Sequence, residues 1–122
     1  MLSEPDALLE FTWCATSSGA VQPASGGWRM STHPVGSKRA NPWGFCDLSG
    51  NAAEWWLDWH DEYPTGNLTD PCGPDRGTYR VLRGGSWWAD VQNCRADSRH
   101  RAPPARHHNA LGVRVALSPV LP

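Results

Sequence analysis

Asn41-Pro42-Trp43-Gly44-Phe45-Cys46-Asp47-Leu48-Ser49-Gly50-Asn51-Ala52-Ala53-Glu54-Trp55 holds the densest chemistry in this chain. Two carboxylates, Asp47 and Glu54, flank a tight turn at Ser49-Gly50-Asn51. Gly50 carries no Cβ to crowd such a bend, so backbone carbonyls can be turned toward one point. Calcium takes about six to eight oxygen ligands and mixes carboxylates with carbonyls. On the residues alone the run suits such a cation. A plain turn capped by Asp47, with Glu54 on a solvated strand face, is the simpler reading of the residues alone. Directly after the turn, Glu54-Trp55-Trp56-Leu57-Asp58-Trp59 alternates with period two, which predicts a strand with Trp55, Leu57 and Trp59 on one face.

Outward from that run the pattern repeats in shorter pieces. Leu111-Gly112-Val113-Arg114-Val115-Ala116-Leu117 predicts a second strand, with Leu111, Val113, Val115 and Leu117 on one side. Tyr79-Arg80-Val81-Leu82-Arg83 predicts a third, entering a turn at Gly84-Gly85. A short helix is expected over Pro5–Cys14, with Ser3 or Asp6 near its start and Leu8, Leu9 and Phe11 as its apolar positions. Residues 15–41 and 60–78 are rich in Ser, Gly and Pro and read as loop. The expected architecture is α+β and loop-rich, a small twisted antiparallel sheet wrapped by long connections.

At 122 residues the chain has room for one domain. Only 39% of it is hydrophobic, so eight Trp must supply much of the buried area, and Gly 12 with Pro 11 argues for turns over long helices. Such a core calls for a further tie, a metal ion or a partner chain. A formal charge of −1 sets up no global field for nucleic acid or anionic membrane. Cys14, Cys46, Cys72 and Cys94 form no CxxC, which argues against a zinc ribbon or a thioredoxin-type centre and leaves any pairing open. Met1–Phe11 has no basic start and is broken by Glu4, Asp6 and Glu10, and no run is long and apolar enough to span a bilayer. Reduced thiols and a cytoplasmic location are therefore the expectation, with no membrane partner.

Four motifs in order carry a resemblance. They are Thr32-His33-Pro34-Val35-Gly36-Ser37, the Asn41–Trp55 run, Arg83-Gly84-Gly85-Ser86-Trp87, and Leu111-Gly112-Val113-Arg114. Together they resemble the formylglycine-generating-enzyme, or sulfatase-modifying-factor, family, whose fold is a variant of the C-type lectin fold. The likeness is strongest over 32–117, and residues 1–122 read as one truncated domain corresponding to the carboxyl-terminal half of the family's. A sheet lacking its other half leaves an unpaired edge, so self-association as a homodimer or higher assembly is expected.

The resemblance implies one structural calcium ion, with Asp47 and Glu54 as side-chain ligands and the Gly50 and Ala52 carbonyls beside them. It also implies that an oxidase of the family, which converts a substrate cysteine to formylglycine, would hold copper with cysteines three and eight residues after the Ser of the Arg-Gly-Gly-Ser motif. Here those positions are Ala89 and Cys94. Copper(I) prefers thiolates, and Ala offers none. Copper is not expected, and Cys94, the remaining catalytic candidate, reads as a buried structural thiol. In the family the segment after that motif lines a ligand-binding face. The candidates for such a surface are Trp87, Trp88, Asp90, Gln92, Asn93, Arg95, Arg99 and Arg101.

The leading expectation is a non-catalytic, calcium-stabilised binding or assembly module for a small molecule, peptide or protein. The alternative is an oxidase or its remnant. The second alternative is an anion or nucleic-acid binder acting through the Arg-rich segment 95–106, against which the overall charge argues. His100, His107 and His108 could together hold zinc or nickel, with a plain loop before the last strand as the simpler reading.

Overall fold

The computed structural model describes residues 4–19, 31–69 and 71–117, with side chains described from Ala7 onward. Helix α1 spans Glu4–Leu9. Strands β1 (Ala53–Trp59), β2 (Arg80–Arg83), β3 (His100–Ala102) and β4 (Leu111–Gly112) form one sheet in the order β3-β2-β1-β4. Pairs β1–β2 and β2–β3 are antiparallel. The edge pair β1–β4 is parallel, through Ala53↔Leu111 and Glu54↔Gly112, so the all-antiparallel expectation is corrected there.

The expected strands are present but shorter or more irregular than their patterns. β1 loses its register between Trp55 and Trp59, so Leu57 is turned out to 89% exposure instead of sharing a buried face with its neighbours. β4 stops after two residues. Beyond it Val113, Val115 and Leu117 are 74%, 90% and 99% exposed, because no described element stands beside them to pair with. The helix also ends early. Phe11 N closes a turn on Leu8 O, and the chain then straightens as Trp13 bridges to Gly50. Thr12, Trp13 and Cys14 are thereby drawn out of the helix predicted through Cys14. Ser3 lies outside the described residues.

The core is smaller and plainer than the Trp count suggests. It is built from Cys14, Ala53, Val81, Leu82, Cys94, Ala102 and Ala110. No described Trp is fully buried. The rings instead lie over the strands and loops as half-covered plates. Trp13 stacks on His33 at 3.7 Å between centroids, its Nε1 donates to Ser37 Oγ at 3.0 Å, and Lys38 Nζ sits 4.3 Å from its ring.

What replaces large apolar side chains at the centre is Asn51, 5% exposed and held at φ +64°. Its N donates to Trp13 O at 2.7 Å and its carbonyl accepts from Trp87 N at 2.9 Å. Its Oδ1 accepts from His33 N at 2.8 Å, and its Nδ2 donates to His33 O at 3.1 Å. One side chain and its peptide thus tie three segments far apart in sequence. Such a fully satisfied buried group fixes position as firmly as packing does.

Candidate functional site

Two concave sites lie near the Gly50 turn. The first is a cavity of about 530 Å³ that includes Asp47, Ala52, Glu54, Val113 and Arg114 in its lining. Asp47 and Asn51 are the non-glycine residues with positive φ among the described residues, at +58° and +64°, and Gly50 between them is at +78°. Asp and Asn tolerate that region better than other side chains. Gly50 has no alternative, since a Cβ there would fall on the Trp13 carbonyl and lie 2.8 Å from Thr12 Cγ2.

Asp47 Oδ2 accepts from Gly36 N at 2.7 Å, while Oδ1 is buried with no partner in the structure. A buried carboxylate oxygen left without a donor is costly. Glu54 is met by Arg114, whose Nε lies 2.9 and 3.1 Å from the two carboxylate oxygens and whose Nη2 lies 2.8 Å from Oε1. Arg114 Nη2 also donates to Cys46 O at 2.9 Å. The hydrogen bond to Glu54 is the largest cause that raises the Arg114 pKa above its ordinary value.

Asp47 Oδ1 suits a hard cation, whereas both Glu54 oxygens are engaged by Arg114. Asp47 Oδ1 is orphaned, Glu54 borders the same space, and Ala52 borders it too. Gly50 is not in the cavity lining, and its role in the site is to make the turn. A soft copper ion has no equivalent. Ala89 presents a methyl group, and Cys94 is fully buried with its thiol pushed up to about 11, by burial first and by Cys14 second. Among the described residues no cluster of three or more His, Cys, Asp or Glu forms a metal site, His100, His107 and His108 included.

The second site is a cleft, also about 530 Å³, on the sheet side away from Glu54. Its floor is Ala53, Leu82, Ala102 and Ala110 from the sheet and its flanks. One wall is the Arg83-to-Cys94 segment. Gly84 and Gly85 turn it sharply at φ +88° and +68°, and Asp90 then accepts from Gln92 N at 3.1 Å to start the 3₁₀ turn Val91–Cys94. Trp88, 59% exposed, leans toward His108 across the mouth, with ring centroids 6.0 Å apart and tilted by 43°. Arg101, Arg106 and His100 add cationic and titratable groups opposite Asp90 and Asn93.

Of the eight surface residues expected from the sequence, Trp88, Asp90, Asn93 and Arg101 line this cleft. Trp87 does not. It is half-buried, and its Nε1 is buried without a partner. Gln92 faces solvent, and Arg95 pairs with Asp97 at 3.2 Å. Arg99 is drawn off to the 60s loop, where it donates to Asp61 O and lies 4.0 Å from the Tyr63 ring. His100, Arg106 and His108 belong to the cleft and were not among the expected surface residues.

Comparison with known proteins gives a consistent picture. Residues 10–119 match the family described as the sulfatase-modifying factor enzyme 1-like domain. The chain is 40% identical over 89 residues to serine/threonine-protein kinase pkn1 of Chlamydia caviae, covering 70% of this chain and 14% of that protein. It is 38% identical over 92 residues to the formylglycine-generating enzyme of Streptomyces coelicolor, covering 71% and 29%. Among solved structures, Treponema denticola variable protein 1 superposes with a TM-score of 0.75 at 34% identity, covering 88% of this chain and 36% of that one. The chain thus spans about a third or less of the length of the curated relatives it matches.

Proposed function

The chain belongs to the sulfatase-modifying factor enzyme 1-like family, and from that premise we propose that it is a non-catalytic binding module, stabilised by one calcium ion, that takes its ligand in the cleft beside Trp88. The observation that carries the reading is the chemistry facing that cleft. Ala89 lines it at the position where the family resemblance calls for a thiolate, and Cys94 is withdrawn into the core as a protonated thiol. What remains exposed is recognition chemistry: an aromatic plate, two guanidinium groups, an Asp and an Asn over an apolar floor.

Calcium, when bound, would supply a positive charge for the carboxylates of Asp47 and Glu54. The protein's own contribution is the turn that strands Asp47 Oδ1 inside the cavity. Binding to the folded state alone stabilises by about 2.7 kcal/mol at a hundredfold excess over Kd. Melting with excess calcium and with a chelator tests this. A rise in Tm with calcium, lost in Asp47→Asn, is expected, and a melting curve indifferent to both additions overturns it. Incubation with copper and a cysteine-bearing sulfatase-motif peptide should leave the peptide mass unchanged. Conversion of that cysteine to an aldehyde overturns the non-catalytic reading.

Self-association is part of the proposal and is supported by the run of Val113, Val115 and Leu117, which stand exposed just past the edge strand. Light scattering should report a dimer or larger species that Val115→Lys returns to monomer. A wild-type monomer at all concentrations removes this part.

A further inference from the structure

The cleft uses one face of the sheet, and the opposite face carries a pattern of its own. Cross-strand partners share a face, so Glu54↔Arg83 and Val81↔Arg101 put Glu54, Val81, Arg83 and Arg101 on the same side, with Trp56 two residues beyond Glu54. Three arginines on or beside this face each lie over an aromatic ring. Arg83 is 5.6 Å from Trp56, Arg101 is 5.0 Å from Tyr79, and Arg99 is 4.0 Å from Tyr63. Val81 on this face is sealed at 2% exposure, so these pairs form its cover.

The rings are open: Trp56 is 51%, Tyr63 61% and Tyr79 37% exposed. The guanidinium groups are positioned but not exhausted. Arg83 gives Nη1 to Ala96 O and Ser98 O at 3.2 and 3.4 Å, and Arg99 gives Nη2 to Asp61 O, each of five donors per side chain. Among the described residues no ion pair neutralises any of the three, because Glu54 is taken by Arg114 and Asp97 by Arg95. The field is felt nearby, since His60 is held below its ordinary pKa by desolvation and then by Arg99 and Arg101. The formal charge of −1 for the whole chain therefore conceals a local cationic, aromatic surface.

We propose that this sheet face binds single-stranded nucleic acid, with Tyr63, Tyr79 and Trp56 stacking bases and Arg83, Arg99 and Arg101 meeting phosphates. An acidic peptide would use the charges but would gain little from three part-exposed rings. A single strand uses both, because every base has a flat face and every linkage an anion. The site uses none of the proposed calcium ligands, although Glu54 lies on the same face opposite Arg83, and of the cleft residues it shares Arg101.

The test is fluorescence anisotropy of a labelled oligothymidylate of about a dozen nucleotides with the full chain, titrated across salt. Three phosphate contacts on a single strand predict a log–log salt slope near −2, or about an 18-fold loss of affinity between 50 and 200 mM salt. Arg99→Gln should flatten the slope to about −1.4. Tyr63→Ala should weaken binding on the order of tenfold and leave the slope unchanged, since it removes stacking alone. Both positions are exposed or half-exposed loop residues, and unchanged melting temperatures confirm that each variant folds. Lack of binding at 50 mM salt overturns the proposal. So does equal affinity for oligoglutamate, or a slope that Arg99→Gln does not change.

Discussion

Replacing Gly50 by Ala probes the turn on which both sites depend. The added Cβ would meet backbone, the Trp13 carbonyl, as well as Thr12 Cγ2 at 2.8 Å, and φ is +78°. A side chain forced into that left-handed conformation costs about 1–2 kcal/mol. Relief of the clash requires the Trp13 segment to move away, which breaks Asn51 N to Trp13 O at 2.7 Å and strains Gly50 N to Gly84 O at 2.6 Å, each worth about 1 kcal/mol net. The total is about 3–4 kcal/mol, a large share of the stability of a domain this size. Gly44→Ala is the matched control. Its φ is +85°, yet nothing lies within 4 Å of the added carbon, so only the conformational cost of about 1–2 kcal/mol applies. At about 4 °C per kcal/mol the expected falls in Tm are about 12–16 °C for Gly50→Ala and about 4–8 °C for Gly44→Ala. Urea titration of both variants in calcium-free buffer measures the gap. Two variants of equal stability would show that the Trp13–Gly50 contact carries no weight and that the steric reasoning fails.

Four further outcomes are expected. Arg114→Met frees Glu54 from its cationic partner, so calcium should then raise Tm at a lower calcium concentration than in the parent, and an unshifted calcium midpoint refutes a shared role for Glu54. Iodoacetamide at pH 8 should leave Cys14 and Cys94 unmodified in the folded chain, because both are fully buried and the Cys94 thiol titrates at about 11. The same raised pKa makes the Cys94 contribution to stability complete below about pH 9 and lost as pH rises through about 11, a decline that Cys94→Ala should lack. His60 is depressed, so its protonation favours the unfolded chain. His60→Gln should gain in relative Tm as the pH drops below about 6.5, and parallel melting profiles from pH 7 to 5 count against this.

The sequence made the local chemistry legible and the long-range geometry much less so. The Asp47–Glu54 turn and the strand entering Gly84-Gly85 follow from motif and alternation, while the cleft residues Trp88, Asp90, Asn93 and Arg101 follow from the family resemblance alone. Alternation misled at Val113–Leu117 and Leu57, since period two says which residues could share a face and nothing about whether a neighbour arrives to cover it. The family resemblance puts Arg99 beside the ligand surface with Arg101, although its ring partner, Tyr63, lies in a distant loop. The sequence offers His100 and His108, with His107, as a metal-site reading and Arg106 as the end of an Arg-rich segment, not as parts of one cleft. What selects them is the return of the chain through β3 over Leu82, which no local pattern encodes. Asn51, with bonds to three distant segments, gave no signal beyond a turn-forming residue.

The alanine floor of the cleft bears on how this module can change its preference. Ala53, Ala102 and Ala110 are among the smallest side chains available, and they form the bottom of the recess while also belonging to the core. Enlarging any one of them raises the bottom by a carbon or two without altering the rim that displays Trp88, Arg101 and Arg106. In the proposed binding role, size selection and charge selection would be carried by separate residues, so that one could be retuned while the other is inherited intact.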